Sequence, residues 1–248
     1  MLSLPELSFF ITAIPAVIIT GLSKGGMGSA LGMISVPLMS LTMPPVQAAA
    51  ILLPLLLVMD GFAIWGWRHH IDWSVFKVII LPGLFGIFLG LMVFASLSEQ
   101  AIRGMIGVIA ILFCLNQWFG HYFRPPRKPG KLAGVFWSTV GGFTSFGIHS
   151  GGPPLSIYML PLKLQKEFLA GTMAIFFGAL NLVKLPAYAI PGQFTAENLL
   201  LSSLLLPICP LSVWLGMKMV KTVSTDFFYQ ILYVSLFLTG IKLLIDVL

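Results

Sequence analysis

Six stretches of the chain are apolar over about twenty residues or more, roughly 46–66, 74–95, 100–120, 167–188, 197–218 and 224–247. A helix crossing about 30 Å of hydrocarbon needs that length, so each is predicted to be a transmembrane helix. The intervals 7–44 and 132–162 break this pattern. Each holds two apolar stretches of about 14 residues or fewer, and fourteen residues of helix reach only about 21 Å. Between the stretches lie tips rich in glycine and hydroxyl residues, Gly21 to Ser29 in the first interval and Gly141 to Gly152 in the second. Short or broken helices are expected here, or re-entrant hairpins whose tips sit at membrane depth.

One hydrophilic segment, His121 to Lys131, divides the chain and reads as a solvated loop. On either side the pattern repeats with an offset near 120. Gly32-Met33-Ile34-Ser35-Val36-Pro37-Leu38 parallels Gly152-Pro153-Pro154-Leu155-Ser156-Ile157-Tyr158. Asp60 corresponds to Asn181, and Leu97-Ser98-Glu99-Gln100 to Val223-Ser224-Thr225-Asp226. The expected organisation is a duplication: a first repeat over 1–120, a cytoplasmic linker over 121–131 and a second repeat over 132–248. Each repeat holds a short helix pair followed by three transmembrane helices. An odd number of elements per repeat makes the two halves inverted.

Composition removes the soluble alternatives. Hydrophobic residues make up 58% of the chain and charged ones 9%, against about 25% charged in a typical globular domain. The mean hydropathy is +0.99. So few charges cannot cover a soluble fold of this size, and the fold class is an all-α polytopic membrane protein. The net charge of +6 points to topology and not to nucleic acid, because no basic face exists to bind it. Cys114 and Cys209 both lie in apolar runs and read as small buried hydrophobes. The N-terminus has no basic n-region, and Glu6 precedes the first apolar stretch, which argues against a cleaved signal peptide.

The basic residues sort to one side. Arg68, Lys77, Arg124, Arg127, Lys128, Lys131, Lys163, Lys166, Lys218 and Lys221 fall in four connections on one face, ten of the 14 Lys and Arg. Glu6, Glu99, Glu197 and Asp246 fall on the other. The positive-inside rule makes the basic face cytoplasmic and puts both termini in the periplasm of a cell-membrane protein.

Inverted repeats around broken helices point to a secondary transporter with its site near the midplane. The second limb of each short pair starts at its tip, turning free N–H groups inward. Ser29 and Ser150 are candidate caps, and Pro153 suits a first helical turn. The candidate ligand-binding set is Ser23, Lys24, Gly28, Ser29, Ser145, His149, Ser150, Gly151, Gly152, Pro153 and Tyr158. Together they make an anion site, with glycine packing between helices as the plainer reading of the same tips. Lys24 at a cytoplasmic turn is the competing placement. Asp60, Asn181 and Lys184 are intramembrane polar residues, functional candidates by default, with snorkelling toward a helix end as the alternative for the two charged ones. The first limbs also end at the tips, so a proton or sodium ion as coupling partner stays open, as does a homodimer. His69-His70-x-Asp72 sits beside Trp65, Trp67 and Trp73, where interfacial anchors belong, and is not taken as a metal site. No catalytic motif or cofactor signature accompanies these residues.

The two tips resemble the sulfite exporter TauE/SafE family of permeases. The residues that carry the resemblance are Gly28 to Leu38 in the first half and Gly147 to Leu160 in the second. In that family a Gly-rich tip precedes a proline-containing helix start once per half. The resemblance extends over essentially the whole chain, and its most specific part is Gly151-Gly152-Pro153-Pro154-Leu155-Ser156-Ile157-Tyr158. It implies transport of small sulfur-containing anions such as sulfite, sulfoacetate or related organosulfonates, usually as export. A passive anion channel and a membrane-embedded enzyme or biogenesis factor are the alternatives from other classes.

Overall fold

The computed structural model describes residues 7–27, 31–93, 128–190 and 192–245, together with Val247 and scattered positions between 100 and 119. Among them, regular structure is helical throughout. Helix α1 spans Leu7–Leu22 and runs into a wide turn over Ser23–Met27; a tight turn over Leu31–Ile34 leads into the five-residue α2, Ser35–Met39. Helices α3 (Pro45–Trp67) and α4 (Trp73–Val93) complete the described first half. The second half holds α5 (Lys131–Ile148), α6 (Gly152–Met159), α7 (Lys166–Ala189), α8 (Ala196–Leu205), α9 (Ile208–Thr222) and α10 (Thr225–Ile245).

Leu7–Met27, Val46–Trp67, Trp73–Met92 and Lys166–Ala189 are each long and apolar enough to cross a membrane, and α8 with α9, bent by 46°, are so when taken together, as a broken span or a re-entrant loop. Large apolar side chains such as Leu81, Phe85, Phe88, Leu182 and Trp214 are exposed on the outside, where only lipid would cover them. The protein is an all-α multi-pass membrane protein.

Two sequence expectations are corrected. The stretch 197–218 is not one helix: α8 stops at Leu205 and α9 restarts at Ile208, because Pro207 and Pro210 cannot donate the N–H groups that continuation requires. The first limbs of the two short pairs are also longer than fourteen residues. Residues Leu7–Met27 count 21 and α5 counts 18. Gly21, Gly141 and Gly142 do not break these helices; Gly21 and Gly142 let neighbouring helices approach. A Cβ on Gly21 would lie 1.8 Å from Ser212 Oγ of α9, and one on Gly142 would lie 1.9 Å from the Gly83 carbonyl oxygen of α4. The expected span at 100–120, Arg124 and Arg127 fall largely or wholly outside the described residues.

In each of the two tips the backbone turns left-handed. Gly26 has φ 120°, ψ 0°, a conformation only glycine adopts at no cost. In the second half α5 ends at His149 with φ 51°, and the amide of Ser150 turns back to the Thr144 carbonyl. Only the second limbs, α2 and α6, are short.

The helix pairings cross between the halves. Helix α1 packs on α9, α5 on α4, and α3 on α7; α9 also touches α3, and α4 touches α7. Exchanging the halves turns each of these pairings into another on the same list. Helices α3 and α7 run antiparallel, with Gly171 against Trp67 and His70 and Gly178 against Asp60 and Ile64.

Candidate functional site

Four charged or polar side chains of the apolar spans meet between α3, α7 and the two breaks. Lys24, in the wide turn after α1, donates to Asp60 Oδ1 at 2.6 Å. The other carboxylate oxygen, Oδ2, accepts from Asn181 Nδ2, also at 2.6 Å. The Lys24 ammonium lies over the Phe177 ring, 5.3 Å from its centroid. Asp60 is fifteen residues from the start of α3, and Asn181 is fifteen residues from the start of α7. In an antiparallel pair this puts their contact at the centre of the joint length, with roughly 22 Å of helix either way.

One turn beyond Asn181, Lys184 is fully buried, with 0% exposure. Its Nζ lies 2.9 Å from the Ser145 carbonyl oxygen, 3.1 Å from Ser145 Oγ and 3.0 Å from His149 Nδ1. Three acceptors match the three hydrogens of an ammonium. With Lys184 as an ammonium, His149 Nδ1 accepts from it and the ring carries its proton on Nε2, which lies 3.3 Å from the Ala49 carbonyl oxygen of α3. His149 thereby ties α7 of one half to α3 of the other, and its left-handed backbone is a strained position of the kind found at functional sites.

These groups enclose a cavity of about 60 Å³. A water occupies roughly 10–15 Å³ by this measure, so the space suits a few waters or one small ion. Lys24, Lys184, His149 and Asn181 form its charged and amide wall, with the hydroxyls of Thr20, Ser23, Ser35 and Ser145. Leu52, Leu56, Met173 and Phe177 are among its apolar residues, and Gly26, Gly32 and Gly152 also line it. No carboxylate is part of the wall among the described residues. Asp60 sits behind Lys24 and Asn181, 2% exposed.

The two tips predicted from sequence therefore come together, one contributing Ser23, Lys24, Gly26 and Gly32 and the other Ser145, His149 and Gly152. Asp60 and Lys184 do not snorkel; both are buried, and Lys24 is paired rather than standing at a solvated turn. Other predicted residues lie off the cavity. Gly151 is a packing glycine, since a Cβ there would be 2.5 Å from the Gly141 carbonyl oxygen and 2.8 Å from Ser145 Cβ. Gly151, and not Ser150, is the N-cap of α6, with Pro153 in the first turn. Ser150 is bound into the break, its carbonyl accepting from Thr144 Oγ1 at 3.0 Å. Tyr158 points away, its ring against Gly134 of α5. Gly28 and Ser29 lie outside the described residues.

Elsewhere, Asp72 Oδ1 caps α4 by accepting from the Ser74 and Val75 amides and the Ser74 hydroxyl. His70 packs edge-on between Trp67 and Phe168. These contacts give the His69-His70-x-Asp72 run a structural part. Cys114 and Cys209 are buried free thiols. Wall residues not foreseen include Phe177 under Lys24 and the mutually hydrogen-bonded hydroxyls of Thr20 and Ser35. The signal for the last two was present, as paired hydroxyls on either side of one chain break.

The family model of the sulfite exporter TauE/SafE matches residues 13–243. No curated protein and no solved structure matches the chain. The family match takes in both helix breaks and every residue of the cavity wall, and the chain belongs to the sulfite exporter TauE/SafE family.

Proposed function

We propose that the protein is a secondary transporter that moves small sulfur-containing anions, sulfite or organosulfonates, out of the cell across the cytoplasmic membrane. The family is one of membrane transporters for sulfur anions, and the direction, the substrates and the mechanism are our reading. The single observation that carries it is the cavity wall: two lysines and a set of hydroxyl and amide donors line it, and among the described residues no carboxylate does, Asp60 lying behind Lys24. An ion taken from water into such a space needs charge-assisted donors to offset its lost hydration. A cation would meet Lys24 and Lys184, with no carboxylate on the wall among the described residues.

Transport proceeds by alternating access, with the paired halves moving around the contact between Asp60 and Asn181. Supporting this is the exchange symmetry of the helix pairings and the position of that contact at the centre of α3 and α7. The basic connections lie in the cytoplasm and both termini in the periplasm. Purified protein in liposomes is expected to show saturable counterflow of sulfite. Flux that rises linearly with concentration, without exchange, would identify a passive anion channel instead.

A further inference from the structure

We propose that Asp60 sets the charge of the transported anion, neutralising Lys24 from behind the cavity wall so that the site accepts singly charged oxyanions and rejects doubly charged ones. The inference rests on the reading of the cavity as an anion site and goes further, to the charge class of the substrate.

Among the described residues, the titratable groups on the wall are Lys24, Lys184 and His149. Lys24 is cancelled by Asp60 at 2.6 Å, and Asp60 is held in that position by the Asn181 amide on its other oxygen. Lys184 and His149 face each other at 3.0 Å. If both were protonated, donor would oppose donor with no acceptor between them, so the pair carries at most one positive charge. The cavity as a whole then presents no more than one uncompensated charge. A monoanion completes the balance; a dianion leaves a net negative charge between apolar helices, which is costly. Hydrogen sulfite and simple monosulfonates meet this condition. Doubly charged sulfite and sulfonates bearing a carboxylate do not.

Asp60 does not line the cavity, so it acts through Lys24 as a positioning residue. Methanesulfonate and sulfate separate charge from shape, because both carry a tetrahedral sulfur of similar size. Thermal-shift titration of the purified full-length protein in detergent is expected to show methanesulfonate binding at least about tenfold tighter than sulfate. Dimethyl sulfone, the neutral isostere, should not bind. In Asp60→Asn the site gains a second uncompensated charge, and the preference is expected to fall by about tenfold or more toward sulfate, whereas Asp60→Glu should retain the wild-type ratio. Equal or tighter sulfate binding by the wild type would overturn the proposal, as would an unchanged ratio in folded Asp60→Asn. If Asp60→Asn does not fold, the wild-type ratio alone decides. Folded wild type that binds neither anion would instead overturn the anion-site reading on which this rests.

Discussion

Lys24 and Asp60 hold each other in place, and neither can be removed without exposing its partner to an apolar interior. Lys24→Met leaves a carboxylate that is 2% exposed with only the Asn181 amide to satisfy it. Losing one member of a buried pair costs roughly 3–5 kcal/mol, so this variant should show a strongly lowered unfolding temperature in detergent. The double variant Lys24→Met, Asp60→Asn removes both charges and should recover most of that loss. A double variant no more stable than Lys24→Met alone would show that the pair contributes no coupling. Lys184→Met deletes a charge that meets three acceptors, and anion affinity is expected to fall by on the order of 2 kcal/mol or more. Each of these residues was conspicuous in the sequence, because any charge inside an apolar span stands out. Their partnerships were not legible. Asp60 lies 36 residues from Lys24 and 121 from Asn181, and only the antiparallel packing of α3 on α7 brings them together. The rule that buried charges occur in pairs could have suggested a lysine for Asp60, but not which one.

At the scale of elements, the sequence placed α3, α4, α7 and α10 well, since the bilayer demands long apolar runs and little else competes. It failed where glycine and proline decide. Gly141 and Gly142 were read as a helix break, yet they lie inside α5 and bring it against its neighbours. Gly142→Ala should therefore destabilise markedly, because its Cβ would lie 1.9 Å from backbone, the Gly83 carbonyl oxygen, which has no side-chain freedom to yield. Gly61→Ala is the matched control. Nothing lies within 4 Å of that Cβ, and replacing a mid-helix glycine should stabilise by roughly 0.5–1 kcal/mol. Thermal unfolding of the two variants should move in opposite directions. The start of α4 allows a pH test. Burial raises the Asp72 carboxyl, but the Ser74 hydroxyl and the Val75 and Ser74 amides outweigh it and hold the group below its ordinary value. A lowered folded-state value means that the cap contributes fully above the unfolded value of about 4, and that its contribution is lost as pH falls through the folded one. Asp72→Ala should cost about 1 kcal/mol at neutral pH, and the gap to wild type should close on acidification below about pH 4. A gap that persists in acid would exclude the carboxylate as its source.

For the whole molecule, composition alone identified the class, and the offset repeat pointed to the two tips that share the cavity. What the sequence could not convey is which helices of one half grip the other, because those contacts depend on crossing geometry and not on hydropathy. One of them tests alternating access directly. Gln47, near the start of α3, donates its Nε2 to Asn198 Oδ1 near the start of α8 at 3.1 Å. Asn198 is held in turn by its own Nδ2 on the Gln193 carbonyl, and its amide by the Thr195 cap. On the proposed topology both helix starts lie on the periplasmic side, where this hydrogen bond links the two halves. If the halves must part there to release the anion, pinning them should stop turnover while leaving the site intact. Cysteines at positions 47 and 198, linked by a disulfide or a short bis-thiol reagent, are therefore expected to abolish sulfite counterflow in liposomes, and reductant should restore it in the disulfide form. Cys114 and Cys209 are buried and should not interfere. Binding measured by thermal shift should survive the cross-link. Counterflow at the wild-type rate in fully cross-linked protein would show that α3 and α8 move as one body, and alternating access would have to occur across a different pair of helices.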